Sequence, residues 1–171
     1  MVMHTGGCAC GQVAITAACE PQTVAMCHCL LCQKRTGSTY SVHAYFPSEN
    51  VRVDGTTKVF SRKGDSGAYV YFHFCPECGS TIYWQVEATP GKTGIPIGIF
   101  ADPTFPPPIV SIFTPHKHPW VSVPDGIPQN EAHGAAFAAA AAAAVHAEVD
   151  HPARCGAKSP RPPTRGSPVT E

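Results

Sequence analysis

Residues 27–32 read Cys-His-Cys-Leu-Leu-Cys, and this run is the densest of three cysteine clusters in a chain of 171 residues. The other two clusters are pairs, Cys8 with Cys10 near the start and Cys75 with Cys78 farther along. Two pairs supply the four thiolates of a structural Zn²⁺ site, whereas three ligands leave one coordination position open, as catalytic zinc requires. The grouping of two, three and two cysteines therefore predicts two zinc ions per chain with different roles.

Disulfide bonds are the alternative explanation for this many cysteines. The first ten residues, MVMHTGGCAC, contain neither the basic nor the apolar segment of a secretory signal. We therefore expect a cytoplasmic protein, in which thiols stay reduced. Cys8 and Cys10 are also too close in sequence to pair easily with each other. These observations favour metal ligands over disulfides.

The charge pattern argues against two classes of partner. Lys and Arg number 12, Asp and Glu also number 12, and the two signs are interspersed along the chain. Because no basic patch stands out, neither nucleic acid nor an anionic membrane surface is an expected partner.

Residues 4–130 have the pattern of one β-rich domain. Short runs rich in β-branched and aromatic residues are separated by turn residues, which is typical of a sandwich or an open barrel. We expect the strand aromatics to lie in the core rather than in a binding site. One or two helical turns are predicted at 30–35, and a hairpin loop at 54–57. The predicted strands are 12–17, 39–46, 51–53, 58–61, 69–74, 81–86, 95–100 and 109–113.

The composition changes after residue 130. Residues 131–150 are dominated by alanine, so a helical extension is predicted there. Its apolar run is shorter than the roughly 20 residues that cross a bilayer. Residues 151–171 are rich in Pro, Arg, Ser and Gly, and are predicted to form a disordered tail.

The two cysteine pairs complement each other. Glycines flank Cys8 and Cys10 and allow the bent backbone that turns both side chains toward one ion. The second pair, at 75–78, has the spacing of a zinc knuckle. A redox Cys-x-x-Cys motif is the alternative for this pair, but it expects a βαβ pattern that the flanking sequence lacks. One shared site would link the amino terminus to a distant hairpin.

The triplet Cys27, Cys29 and Cys32 is predicted to hold the second metal, with one position free for an incoming thiol. The alternative is a closed structural site whose fourth ligand is a histidine. Because His28 lies between two ligands, we expect its side chain to point away from the metal. The candidate fourth ligands are His28, His43, His73, His116 and His118.

Three motifs carry a resemblance to a known family: GGCACGQV at 6–13, CHCLLCQKRTGS at 27–38 and FCPECGS at 74–80. In this order they resemble the glutathione-dependent formaldehyde-activating enzyme (GFA) family, which also includes the centromere protein V group. The run PWVSVPDGIP at 119–128 is similar to the family's closing segment, so the resemblance covers residues 4–130. It implies a mainly β fold of the β-tent (Mss4-like) type with short helical turns, a structural zinc and a second, more labile zinc.

The resemblance also implies ligand sets and a reaction. The reaction is the carbon–sulfur lyase-type addition of glutathione to formaldehyde, or of a related thiol to an aldehyde, and it gives S-hydroxymethylglutathione in the first case. The alternatives are a non-catalytic glutathione-binding or carrier protein and a zinc-stabilised interaction module. Carried over position by position, the structural ligands are Cys8, Cys10, Cys75 and Cys78, and the catalytic ligands are Cys27, Cys29 and Cys32.

Glutathione carries two carboxylates, so its pocket should offer cations or backbone N–H groups. The residues that follow the triplet are the candidates, although a solvated turn is an equally good explanation for the two charged ones. These candidates are Lys34, Arg35, Thr36, Gly37 and Ser38.

Overall fold

The computed structural model of the chain describes residues 2–133. Of the alanine-rich helix predicted at 131–150, residues 131–133 are described and form a bend; the rest of it and the predicted Pro-rich tail lie outside the described residues. The described part contains eleven β-strands, one α-helix and three 3₁₀ turns, so the prediction of a mainly β fold is confirmed. The strands are β1 (His4–Gly7), β2 (Ala14–Ala17), β3 (Thr23–Cys27), β4 (Ser41–Pro47), β5 (Val51–Asp54), β6 (Lys58–Lys63), β7 (Tyr69–Phe74), β8 (Thr81–Val86), β9 (Lys92–Pro96), β10 (Val110–Ile112) and β11 (Gln129–Asn130). The helix α1 is Leu30–Thr36, and the 3₁₀ turns are Ser48–Asn50, Ile97–Phe100 and Thr114–His116.

The strands form two sheets. Eight strands pair in the order β11-β10-β3-β4-β9-β8-β7-β6, and β1, β2 and β5 form a smaller sheet in the order β1-β2-β5. Strand β10 runs parallel to β3 and β11, and the other paired strands are antiparallel. Within residues 2–133, no helix has the length and apolar character needed to cross a membrane.

Sequence and structure differ in three ways. The run 95–100, predicted as a strand, divides between the end of β9 and a 3₁₀ turn. Strands β1, β3 and β11 were not predicted. The hairpin predicted at 54–57 is wrong, because β5 and β6 belong to different sheets. Gly55, at a φ of 106°, instead turns the chain from one sheet to the other.

The main core lies between the small sheet and one face of the large sheet. It joins Ile15 of β2 to Ala44 and Phe46 of β4, and to Ile82 and Ile95 of the neighbouring strands. Phe46, Ile82 and Ile95 are fully buried. Each such side chain contributes roughly 1.5–3 kcal/mol to folding.

The period of two along a strand gives the large sheet a second, chemically different face. Ala44 and Phe46 of β4 enter the main core, so Ser41, His43 and Tyr45 face the other way. Cys27 of β3 pairs with Ser41 and lies on this same face. The cysteine triplet therefore lies on the face opposite the main core.

Helix α1 is short, and the cysteines take part in its capping. The Cys32 N–H donates to Sγ of Cys29 at 3.3 Å, so a cysteine serves as the N-cap. Gly37 ends the helix in the left-handed region at a φ of 67°, and its N–H donates to the Gln33 carbonyl. Caps at both ends fix the helix that presents Cys29 and Cys32.

We expect Gly6→Ala to lower the free energy of unfolding by about 1–3 kcal/mol, measured by urea denaturation. A Cβ at Gly6 would collide with the backbone carbonyl of Ile99, in the 3₁₀ turn Ile97–Phe100. Gly98→Ala in that same turn is the matched control, because a Cβ there meets nothing within 4 Å. Equal stability of the two variants would contradict the close packing of β1 on this turn.

Candidate metal centres and the adjoining cavity

Four cysteines converge from two loops. Cys8 and Cys10 come from the β1–β2 loop, and Cys75 and Cys78 come from the β7–β8 loop. All four Sγ atoms lie within 4.8 Å of one another, with Cys10 Sγ 3.5 Å from that of Cys8 and 3.6 Å from that of Cys75. Sulfurs around tetrahedral zinc lie about 3.8 Å apart, since each Zn–S bond is about 2.3 Å. The four sulfurs therefore fit a closed zinc shell.

Backbone and hydroxyl donors surround this four-cysteine cluster. The Val13 N–H donates to Cys8 Sγ at 3.1 Å. Ser80 links the two loops, because its Oγ accepts from the Ala9 N–H at 3.2 Å and lies 3.3 Å from Cys78 Sγ. The hydrogen bonds from the Ser80 side chain and backbone lower the pKa of Cys78 to about 5. At Cys78 this environment favours the thiolate that a metal requires.

Cys27, Cys29 and Cys32 form the second cluster, again with their Sγ atoms within 4.8 Å of one another. Among residues 2–133, no His, Asp or Glu joins them as a fourth donor, so the closed-site alternative gains no ligand from the described part of the chain. His28 is fully buried, and its Nε2 lies 3.0 Å from Ser111 Oγ.

The three sulfurs compete for negative charge. Hydrogen bonds from Cys27 and Cys32 lower the pKa of Cys29 to about 2. Hydrogen bonds with Cys29 and Cys32, together with burial, raise the pKa of the Cys27 thiol. These opposite shifts move the pKa values of Cys27 and Cys29 apart. A divalent metal would let all three ligate as thiolates, which fits the donor set.

Gln33 fixes the helix that carries two of these cysteines. Its Nε2 donates to the His28 carbonyl at 2.8 Å and to the His116 carbonyl at 3.1 Å. Its Oε1 lies 3.2 Å from Nε2 of His118. One side chain thus ties α1 to the strand end before it and to the segment after β10.

The triplet opens on a cavity of about 540 Å³. This volume lies within the range of roughly 300–1,000 Å³ that is usual for small-molecule sites. Tyr45, Phe72 and Trp84 are buried, as expected for strand aromatics, but their rings also form the cavity wall, which the sequence did not indicate. Apolar residues dominate the lining: Leu31, Tyr45, Val70, Phe72, Trp84, Val86 and Phe113.

Three cations and one carboxylate also line this cavity: Arg35, Arg62, Lys92 and Asp65. The Arg35 guanidinium lies 4.9 Å from the Trp84 ring centroid, and its Nη2 donates to Ser41 Oγ at 2.9 Å. The Arg62 guanidinium lies 5.2 Å from the Phe72 centroid. Stacking on the aromatic wall holds both guanidinium groups beside the cavity.

Of the five binding residues predicted from sequence, Arg35 lines the cavity and the other four do not. Two of the N–H groups proposed as anion donors are already used. The Gly37 N–H donates to the Gln33 carbonyl at 2.9 Å, and the Ser38 N–H donates to Thr36 Oγ1 at 3.2 Å. Lys34 has no position on the cavity wall.

Arg62 and Lys92 were missed because they are far from the triplet in sequence. One signal could have found Arg62. Arg62 of β6 pairs with Val70 of β7. Val70 lies two residues before Phe72 and therefore on the same face of the sheet, so strand alternation places Arg62 on the cavity face as well.

One comparison with known proteins identifies a family. The family described as glutathione-dependent formaldehyde-activating enzyme matches residues 3–116, a range that includes all seven clustered cysteines. A crystal structure of a Rhodobacter sphaeroides protein is similar at 20% identity, covering 73% of this chain and 98% of that chain, with a TM-score of 0.44. No curated protein matches the chain. The matched family has the Mss4-like fold, so the predicted fold class is confirmed.

Substitutions of cysteines in the two clusters should differ in their effect on the stability of the protein. We expect Cys8→Ser to reduce bound zinc from about two to about one per chain and to lower the melting temperature by roughly 10 °C or more. Cys29→Ser should lose a similar amount of zinc but keep the fold. Elemental analysis and thermal melts measure both. A fully metallated, equally stable Cys8→Ser protein would contradict the structural site.

Proposed function

The chain belongs to the glutathione-dependent formaldehyde-activating enzyme family, and from this premise we propose that it is a zinc-dependent carbon–sulfur lyase-type enzyme. Its reaction is the addition of glutathione to formaldehyde, or of a related thiol to a small aldehyde. One observation carries the proposal. A cluster of three cysteine sulfurs, with no fourth donor among residues 2–133, opens directly on a ligand-sized cavity lined with cations.

The two cysteine clusters take different roles in this proposal. Cys8, Cys10, Cys75 and Cys78 would hold a structural zinc ion, and the triplet at 27–32 would hold a catalytic one. Bound by three sulfurs, zinc supplies Lewis-acid chemistry that favours the deprotonated form of a thiol at neutral pH. The fit of both sulfur sets to zinc supports this division.

The cavity's charges suit glutathione, which has two carboxylates and one ammonium group. Arg35, Arg62 and Lys92 provide three cations for the carboxylates, and Asp65 provides an anion for the ammonium group. The thiol would then lie at the cysteine triplet. Binding at several separated charges fixes both the position and the orientation of the sulfur before reaction.

The apolar wall has a separate task. Phe113 and Leu31 border the cavity close to the triplet, and Phe113 is buried. Apolar side chains there exclude water from the reacting sulfur and lower the local dielectric constant, which strengthens each electrostatic contact in the cavity. The cytoplasm is the proposed location, because the sulfurs of both clusters must stay reduced to bind metal.

The proposed reaction can be measured by NMR as the exchange rate between free and formaldehyde-bound glutathione. We expect zinc-loaded protein to accelerate this exchange by about tenfold or more over the uncatalysed rate. Cys29→Ser should remain folded and give only the uncatalysed rate, since it removes one sulfur of the triplet. Tight glutathione binding without acceleration would instead support a carrier protein.

Arg35→Ala should weaken glutathione binding by about tenfold, because a charge-assisted hydrogen bond to a carboxylate is lost. Calorimetric titration with glutathione measures the effect. Lys34→Ala is the matched control, since it removes a cation from the adjacent position of α1, outside the cavity. Equal losses in the two variants would show that only net charge matters, and would contradict a built carboxylate site at Arg35.

A further inference from the structure

His43 is a buried polar side chain whose hydrogen-bonding capacity is unused within residues 2–133. It is 3% exposed, and neither Nδ1 nor Nε2 has a hydrogen-bond partner among residues 2–133. Buried polar groups in native proteins are nearly always hydrogen-bonded, and an unpaired one is destabilising. A ligand that pairs with the ring in the bound state would explain why the position holds a histidine.

The ring faces the cavity and is held rigidly there. His43 lines the cavity wall, between Tyr45 and Trp84, whose rings meet it edge-on at centroid distances of 5.4 Å and 5.2 Å. These two contacts fix the plane of the imidazole but leave its nitrogens unpaired. The orientation is therefore set before any ligand binds.

His43 also lies on the same sheet face as the sulfur cluster. It pairs with Ala25 across β3 and β4, and the next pair on the same face is Cys27 with Ser41. Diagonal neighbours of this kind lie roughly 7–8 Å apart. The imidazole and the three sulfurs therefore line one cavity from neighbouring positions, so a ligand in that cavity can contact both.

We propose that His43 is a catalytic residue that donates a hydrogen bond from its ring N–H to the aldehyde oxygen while the thiol adds to the carbonyl carbon. This inference rests on the proposed function. In the step, the S–H bond breaks and the S–C bond forms. The π electrons of C=O move onto oxygen, which takes up a proton from water in place of the one that the thiol releases.

The neutral imidazole suits this role. Burial, with the nearby charge of Arg35 as a second cause, lowers the pKa of His43 to about 3, so the ring carries one N–H and one lone pair at neutral pH. Arg35 could not easily replace it, because the proposed function assigns that guanidinium to a carboxylate of glutathione. A preorganised donor aimed at a developing oxyanion is usually a large catalytic contribution.

The test compares His43→Phe, His43→Gln and wild-type protein, all loaded with zinc, in the glutathione–formaldehyde exchange measurement. Phe keeps the edge-on ring packing but removes the donor, and Gln keeps an N–H donor. We expect His43→Phe to lose about 10²-fold of the catalysed rate, with glutathione affinity and zinc content unchanged. His43→Gln should recover part of the rate. The control is His73→Phe, which changes a histidine that is stacked on Tyr83 and does not line the cavity.

Stability provides an independent measurement. Because Phe does not bury unpaired nitrogens, His43→Phe should melt a few degrees higher than the wild-type protein while being less active. Loss of zinc in this variant would overturn the inference and indicate a metal ligand. If the wild-type protein is active and His43→Phe is equally active, the role of His43 is overturned and the proposed function is not. An inactive, fully metallated wild type overturns both this role and the proposed function.

Discussion

The antiparallel register between β3 and β4 is the constraint on which the rest of the structure depends. Five residue pairs, from Thr23 with Tyr45 to Cys27 with Ser41, set which side chains face the small sheet and which face the cavity. A slip of one residue would exchange the two sets. Phe46 would leave the core and the cavity would lose His43 and Tyr45. Burial of Phe46 therefore fixes the register, and the register fixes the positions of His43 and Tyr45 on the opposite face.

The four-cysteine cluster connects two loops that are far apart in the chain. Its two loops are joined by contacts between Cys10 and Cys75 and between Ala9 and Ser80, across residues far apart in the chain. Metal binding at this point would close a long loop and link the small sheet to the hairpin of β7 and β8. The chain-closure entropy that opposes such a contact would then be offset by metal–sulfur bonds rather than by apolar burial.

The sequence indicated the local features of the site well and the distant ones poorly. Cysteine spacing is a local property, so it predicted the triplet and each of the two pairs, and the two pairs were assigned to one site because together they complete a four-ligand shell. Arg62 and Lys92 reach the cavity only through strand pairing across several strands, which depends on register and twist. The same holds for His43, since nothing in the residues around it distinguishes a cavity-facing position from a core-facing one. Strand β3 was missed for a related reason: all five of its residues are buried, which removes the alternating pattern.

Stability and chemistry are separated onto the two faces of one sheet. The main core is built mainly of apolar side chains such as Ile82 and Ile95, whereas the cavity face holds a guanidinium over an aromatic ring, a cluster of three thiols and an imidazole without a hydrogen-bond partner among residues 2–133. The polar groups on the cavity face lower the free energy of unfolding, and the apolar core on the other face of the same strands compensates for this loss. Because the sheet lies between the two sets, substitutions on opposite faces have few shared contacts and should act nearly additively. Such a scaffold can change its cavity residues, and hence its ligand, without rebuilding the core that supports them.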